Sequence, residues 1–296
     1  MVKWAIVTAG VFLGGLCLAA LVAGPATATQ PEVRLEVPYG PDPAEKLDLC
    51  LPAGQEGAPR PAVVMIHGGY WITGDKAMYG ELCRLAASEG IVAAAIDYRL
   101  ADAGEGHRWP AQLVDAQLAV RWLRSRAAEL AIDPKRICAL GDSAGAHLAV
   151  FLAALGQTVP GDHARELPGI SSRVACAVDN FGPVDISADT LWPPDQQLFG
   201  VKGRAPDQER EASPIFRIGP ATAPIMIVHG RADKSVNVDQ SLMLLDRLKA
   251  GHVPARLTLL DCGHEFEGLS AQATFKVWQS ELTFIKEARG RDSGSS

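Results

Sequence analysis

The stretch "LGDSAGAH", residues 140–147, sets an aspartate, a serine and two glycines in an apolar context. Ile137-Cys138-Ala139-Leu140 precedes the polar residues and Leu148-Ala149-Val150-Phe151-Leu152 follows them. The first run reads as a short buried strand over 136–140, the second as a helix. Between them, Gly141-Asp142-Ser143-Ala144-Gly145 has the form G-x-S-x-G. A strand-to-helix turn this tight holds its serine in a strained backbone, and glycines two before and two after remove colliding side chains. Ser143 would stand above the carboxyl ends of the strands, at the positive end of the following helix. The polar island is therefore expected to be a nucleophile elbow.

A serine hydroxyl needs a positioned base. Around such an elbow the acid and then the histidine follow the serine along the chain. Pro224-Ile225-Met226-Ile227-Val228 leads into His229-Gly230-Arg231-Ala232-Asp233, and Leu257-Thr258-Leu259-Leu260 leads into Asp261-Cys262-Gly263-His264. Asp233 is thus expected to orient His264, and His264 to take the proton of Ser143. Asp239 and Asp261 compete with Asp233, and the position directly after the strand decides for Asp233. His252 follows a helix, which leaves His264 as the base.

The third part is a trap for an oxyanion. A strand over 62–66 ends in His67-Gly68-Gly69-Tyr70-Trp71. A glycine-rich turn there turns backbone N–H groups towards the substrate, so Gly69 and Tyr70, with Ala144 after the nucleophile, form the expected oxyanion hole. His67 is read as a brace for this loop. Gly69 to Gly74 has the spacing of a phosphate loop, but Asp75 stands where its lysine belongs. His147, one helical turn beyond Ser143, and His229, at a strand end, read as packed, hydrogen-bonded residues. No histidine pair has metal-ligand spacing on one helix, so neither metal nor cofactor is expected.

Further strands are expected over 32–37, 46–51, 91–96, 174–179 and 255–260, and another over 224–228. Several are apolar throughout, as in a parallel sheet covered on both faces. Helical patterns lie between them. Over 110–130, Leu113, Ala116, Val120, Leu123 and Ala127 share one face, and 238–250 repeats Val238, Leu242 and Leu245. The alternation predicts an α/β fold with about eight mostly parallel strands and helices on both faces. Short connections make the first two or three strands antiparallel. Residues 183–223, rich in Pro, Asp and Gly, read as a small capping insertion, walling a pocket with Trp71 and Trp192. The tail 289–296 is expected to be disordered.

The chain has 296 residues, net charge −6 and no basic run, which excludes the footprint of a nucleic-acid binder. Lys3 precedes an apolar run from Trp4 to Ala23, and Ala26-Thr27-Ala28 matches a signal-peptidase site. A signal peptide over 1–28 is expected, with an uncleaved anchor as the alternative. The expected result is a catalytic domain over 29–288, secreted or periplasmic and off the membrane after cleavage. Cys50, Cys83, Cys138, Cys176 and Cys262 remain. Their odd number and scattered spacing suggest no disulfide framework, and Cys138 and Cys176 read as small packed hydrophobes, although export permits a bridge.

With "HGGYW", "DYRL", "GDSAGAHLA", "HGRAD" and "CGHEF" in this order, the chain resembles the α/β-hydrolase esterases over residues 32–288. It is most similar to secreted carboxylesterases of the hormone-sensitive-lipase-like group and to feruloyl and acetylxylan esterase-like domains. The resemblance implies the α/β-hydrolase fold, the triad Ser143, Asp233 and His264, and a small-molecule or carbohydrate ester as substrate. One departure is Tyr70, where the lipase-like pattern has a third glycine. "HGGYW" is similar to the motif of arylformamidases, in which the second glycine and its neighbour supply oxyanion N–H groups. An amide hydrolase, arylformamidase or peptidase, is therefore the second expectation. A non-catalytic binding protein is the third, and the intact triad counts against it.

Overall fold

Strand β3 (Arg60–Ile66) shows why the sheet is buried on both faces. Ala62, Val64 and Ile66 point into one apolar cluster, and Val63 and Met65 into another on the opposite side. The computed structural model describes residues 30–54, 58–101, 107–155, 166–187, 198–200 and 205–290. The expected signal peptide, Trp192, much of the insertion and the tail from 291 lie outside the described residues.

The other strands are β1 (Glu32–Pro38), β2 (Lys46–Leu51), β4 (Val92–Ile96), β5 (Ile132–Asp142), β6 (Ala177–Asn180), β7 (Ile225–Gly230) and β8 (Ala255–Leu260). They form one eight-stranded sheet in the order β1-β2-β4-β3-β5-β6-β7-β8. β2 is antiparallel to both β1 and β4, and every other pair is parallel. This is the architecture of an α/β-hydrolase. The antiparallel start holds for β1 and β2, but β3 is separated from β2 by β4. A parallel β3–β4 pair needs a crossover, which helix α1 (Gly80–Ser88) supplies.

Helices α2 (Ala111–Ser125), α3 (Ala144–Ala154) and α5 (Asp239–Ala250) cover the first face, through Leu113, Leu148 and Leu244 among others. α1 and α6 (Ala271–Glu287) cover the second, through Leu82, Ala86, Leu282 and Ile285. The short helix α4 (Pro206–Glu211) belongs to the insertion, whose Leu198 and Phe199 are buried in the first cluster. Asp133 and Pro134 lie within β5, where its partner in β3 advances only from Arg60 to Ala62 as β5 runs from Ile132 to Ile137. Proline, which has no N–H to give the ladder, is tolerated in such an irregularity.

The cysteines depart from expectation. Cys138 and Cys176 are not separate packed thiols but form a disulfide, with their Cα atoms 4.7 Å apart. Cys50 and Cys83 form another across 5.8 Å, and Cys262 is the one free thiol among the described residues, and it is buried. Adjacent parallel strands cause the first pairing: Ala139 is in register with Ala177, which brings the preceding residues together.

Candidate active site

Parallel strands end at one edge of the sheet, so β3, β5, β6, β7 and β8 all deliver their following loops to the same rim. Ser143 is the single residue between β5 and α3, and it adopts φ 53°, ψ −115°. A positive φ is strained for a residue with a Cβ. The flanking glycines are there for close approach. A Cβ on Gly145 would lie 1.9 Å from the carbonyl oxygen of Ile66, and one on Gly141 would lie 2.3 Å from the carbonyl of Gly145. The start of α3 is thus pressed directly onto the ends of β3 and β5. The Ser143 N–H donates to the carbonyl of Asn180 at 2.9 Å, and the Ser143 carbonyl accepts from His147 N at 3.0 Å.

His264 stands in the turn after β8, with Nε2 3.2 Å from Ser143 Oγ and Nδ1 2.7 Å from Asp233 Oδ2. A carboxylate opposite Nδ1 fixes the proton there and leaves Nε2 to accept from the serine. Asp233, in the turn after β7, has its side chain fully buried. Its Oδ1 accepts from the N–H groups of Ser235 at 2.8 Å and Val236 at 2.9 Å. Burial alone would raise its pKa. Hydrogen bonds from His229, His264 and Val236 outweigh that and hold the carboxyl below the usual range. The sequence-predicted trio is therefore brought together in one hydrogen-bonded line, partly buried, with Phe181 edge-on to the His264 ring at 4.7 Å.

The loop after β3 passes beside the nucleophile. A Cβ on Gly68 would lie 3.0 Å from the Asp142 carbonyl oxygen and 3.3 Å from Ser143 Cβ. Gly69, at φ 108°, accepts at its carbonyl from Ile72 N and Thr73 N, both at 3.0 Å. Tyr70 is half-buried at φ 55°. Ala144 opens α3, where a helix has N–H groups without intrahelical partners. His67 is buried, stacked 4.4 Å from Tyr98, and its Nδ1 lies 2.7 Å from the Gly68 carbonyl, so it braces the loop.

Trp71, expected beside the pocket, lies in the core. It is packed inward, 1% exposed, and its Nε1 donates to His147 Nδ1 at 3.2 Å. Three positive-φ residues in succession, Gly69 to Trp71, turn the indole inward. His147 in turn donates from Nε2 to the Ala212 carbonyl at 2.7 Å, and burial lowers its pKa to about 4. It is a neutral packing residue.

Two further residues of the site carry little sequence signal. His229 Nε2 lies 3.0 Å from the Val236 carbonyl and 3.3 Å from Asp233 Oδ2, while Nδ1 accepts from Ser241 Oγ at 2.6 Å. Asp233 is thus held between two imidazoles. Asn180 holds the elbow twice, through its carbonyl to Ser143 N and through Nδ2 to Asp142 Oδ1 at 2.9 Å. A polar pair, Asp179-Asn180, ending an otherwise apolar strand is the one sequence signal that could have pointed to this spot.

Residues 47–248 match the model of the BD-FAE family. The chain is 32% identical over 269 residues to Esterase LipC of Mycobacterium tuberculosis, covering 86% of this chain and 65% of that protein. The chain thus spans a little under two thirds of that relative. A truncated carbohydrate esterase from gut microbiota superposes with a TM-score of 0.72 at 28% identity, covering 90% of this chain and 99% of that one. A thermophilic esterase of Thermogutta terrifontis, Est2 with propionate bound, superposes with a TM-score of 0.71 at 27% identity, covering 90% and 98%. A butyrate-bound form of the same esterase superposes equally well, at 0.71.

Proposed function

The chain belongs to the BD-FAE family of α/β-hydrolases, and on that premise we propose that it is an exported serine esterase acting on short-chain carboxylic esters of soluble or carbohydrate alcohols. The observation that carries the reading is the line Asp233–His264–Ser143, at 2.7 and 3.2 Å, on the rim of a parallel sheet. Ser143 Oγ attacks the ester carbonyl while His264 Nε2 takes its proton. Asp233 holds the imidazole in that tautomer and stabilises the imidazolium that forms. The N–H groups of Gly69, Tyr70 and Ala144 receive the developing oxyanion. His264 then protonates the leaving alcohol, and water releases the acyl group by the same steps in reverse.

Support for a short acyl group comes from the propionate and butyrate bound to the Thermogutta esterase, and support for a carbohydrate alcohol from the gut carbohydrate esterase. Export is supported by the signal-peptide pattern in the sequence of residues 1–28 and by the disulfides, which persist in oxidising compartments. The HGGYW motif favours a second reading, an arylformamidase-like amide hydrolase.

A substrate panel of p-nitrophenyl esters, acetylated xylan, methyl ferulate and N-formylkynurenine separates the two. Ser143→Ala should lower kcat on the best substrate by on the order of 10³–10⁶-fold and abolish fluorophosphonate labelling while the fold survives. Near-wild-type turnover in that variant overturns the reading.

A further inference from the structure

Beneath the elbow, on the face covered by α6, sits a carboxyl that the reaction above does not use. Glu281 is 0% exposed, and neither of its oxygens has a hydrogen-bond partner among the described residues. It projects from the helix face that also buries Leu282 and Ile285. The charge of Asp142 favours its neutral form, while the Asn180 side chain works the other way and is outweighed. The side-chain oxygen of Asn180 is also buried and unpartnered, while its Nδ2 is committed to Asp142. A buried carboxylate with no donor would cost several kcal/mol, whereas a carboxylic acid carries an O–H that suits an unpaired acceptor.

We propose that Glu281 is a neutral acid whose O–H donates to Asn180 Oδ1, and that Asn180 and Glu281 together are positioning residues for Ser143. Asn180 grips both sides of the strained residue, at the Asp142 side chain and at the Ser143 N–H, and Glu281 anchors Asn180 from α6. No residue of this pair touches substrate. The kinetic part rests on the esterase reading, and the stability part does not.

The groups around the pair come from every element packed on it. Asp142 ends β5, Tyr79 lies on the turn before α1, and His264 and Glu265 follow β8. Burial pushes Asp142 up to about 6, offset by hydrogen bonds from Asn180 and Tyr79, with Glu265 raising and His264 lowering it. Burial, and then the charge of Asp142, push Glu281 up to about 8 against a smaller lowering by Asn180. Burial, Asp142 and Glu281 hold the Tyr79 phenol well above its ordinary value, so it stays neutral. Between about 6 and about 8 the two carboxyls hold one proton, on Glu281. Above that range Glu281 ionises beside a negative Asp142 and Asn180 loses its donor.

The folded-state value of Glu281 lies above its unfolded one, so its uncharged form favours the fold at low pH. That advantage is lost progressively as pH rises from the unfolded value, 4.5, through about 8. Glu281→Gln keeps a donor for Asn180 and cannot ionise.

The experiment is thermal unfolding of wild type, Glu281→Gln and Glu281→Leu at intervals from pH 5 to 9, with kcat and KM for a p-nitrophenyl ester at each pH. The Tm of Glu281→Gln minus that of wild type should climb with pH and level off above pH 8. Its kcat should stay within about threefold of wild type at pH 7, and the fall in kcat above pH 8 should disappear. Glu281→Leu should lose about tenfold in kcat at unchanged KM, a loss of the size of one hydrogen bond that the glutamine rescues. A Tm difference that is flat across the pH range overturns the proposal, as does an unchanged alkaline limb in Glu281→Gln. Should Glu281→Leu not fold, the glutamine variant alone decides. If wild type cleaves no ester, the esterase reading fails while the Tm series still tests Glu281.

Discussion

Replacing Asp233 by asparagine tests the hydrogen-bonded line at its least exposed member. The carboxylate accepts from four directions: Ser235 N and Val236 N at Oδ1, His264 Nδ1 and His229 Nε2 at Oδ2. An amide keeps one acceptor oxygen, which the backbone N–H pair holds in place. Its NH₂ then meets the N–H of both imidazoles, donor against donor. His264 must move its proton to Nε2, where it faces Ser143 Oγ and can no longer accept. The wrong tautomer costs on the order of 10⁴ in kcat, about 5.5 kcal/mol of transition-state stabilisation. KM should change little, because Asp233 touches no substrate in this scheme. Stability should change with a definite sign. The folded-state pKa of Asp233 is depressed, so its contribution is present above the ordinary carboxylate range and is lost as pH falls through the folded value. Asp233→Asn should therefore be most destabilised relative to wild type near neutrality, and the gap should narrow in acid. The assay is stopped-flow and steady-state hydrolysis of p-nitrophenyl acetate at pH 7, beside thermal scans from pH 7 down to pH 3. A kcat within tenfold of wild type refutes the tautomer argument, and a stability gap that widens in acid refutes the charge assignment.

The disulfides should each contribute about 4 kcal/mol by loop entropy, given sequence separations of 33 and 38. Thiol titration of the denatured, unreduced exported chain should find one free thiol, Cys262, and Cys138→Ala with Cys176→Ala should lower Tm by several degrees. Gly145→Ala should destabilise by at least about 3 kcal/mol or prevent folding, since its Cβ meets the Ile66 carbonyl at 1.9 Å in a backbone that cannot yield. Urea unfolding measures it, and a change under 1 kcal/mol would contradict the packing of α3 on β3. A chain-length series should peak between acetyl and butyryl with no jump at the solubility limit, because the insertion is short and charged. A steady rise of kcat/KM to long acyl chains would contradict this.

The strands were legible because buried parallel strands are written as unbroken apolar runs, and Val63, Ala94 and Ile227 need no neighbour to say so. Their order was less so. Nothing within β2 states that β4 and not β3 lies beside it, since pairing depends on the crossover and not on either run. The same gap hid the disulfides. Cys138 and Cys176 are 38 residues apart in sequence, and only the β5–β6 register makes them neighbours. Trp71 reads as a surface aromatic beside a glycine loop until the backbone conformation at Gly69, Tyr70 and Trp71 turns it into the core. Glu281 looks like any solvent-facing glutamate on an amphipathic helix, flanked as it is by Ser280 and Leu282.

The candidate site was legible for a related reason. Ser143, Asp233 and His264 each follow a strand, and a parallel sheet sends the residues after its strands to one rim, so chain position substitutes for coordinates. What chain position does not supply is the spacer. β6 lies between the strand carrying Ser143 and the strands carrying Asp233 and His264. The distance from Ser143 to His264 is therefore set by what β6 places in the gap. Asn180 holds the elbow from that side by its carbonyl and its amide, and Phe181 sets its ring edge-on to His264 at 4.7 Å. Neither side chain donates, accepts or transfers a proton in the reaction, so no chemical pattern marks them. They are needed because a serine and an imidazole from strands that do not touch must be kept 3.2 Å apart, and the strand between them does the keeping.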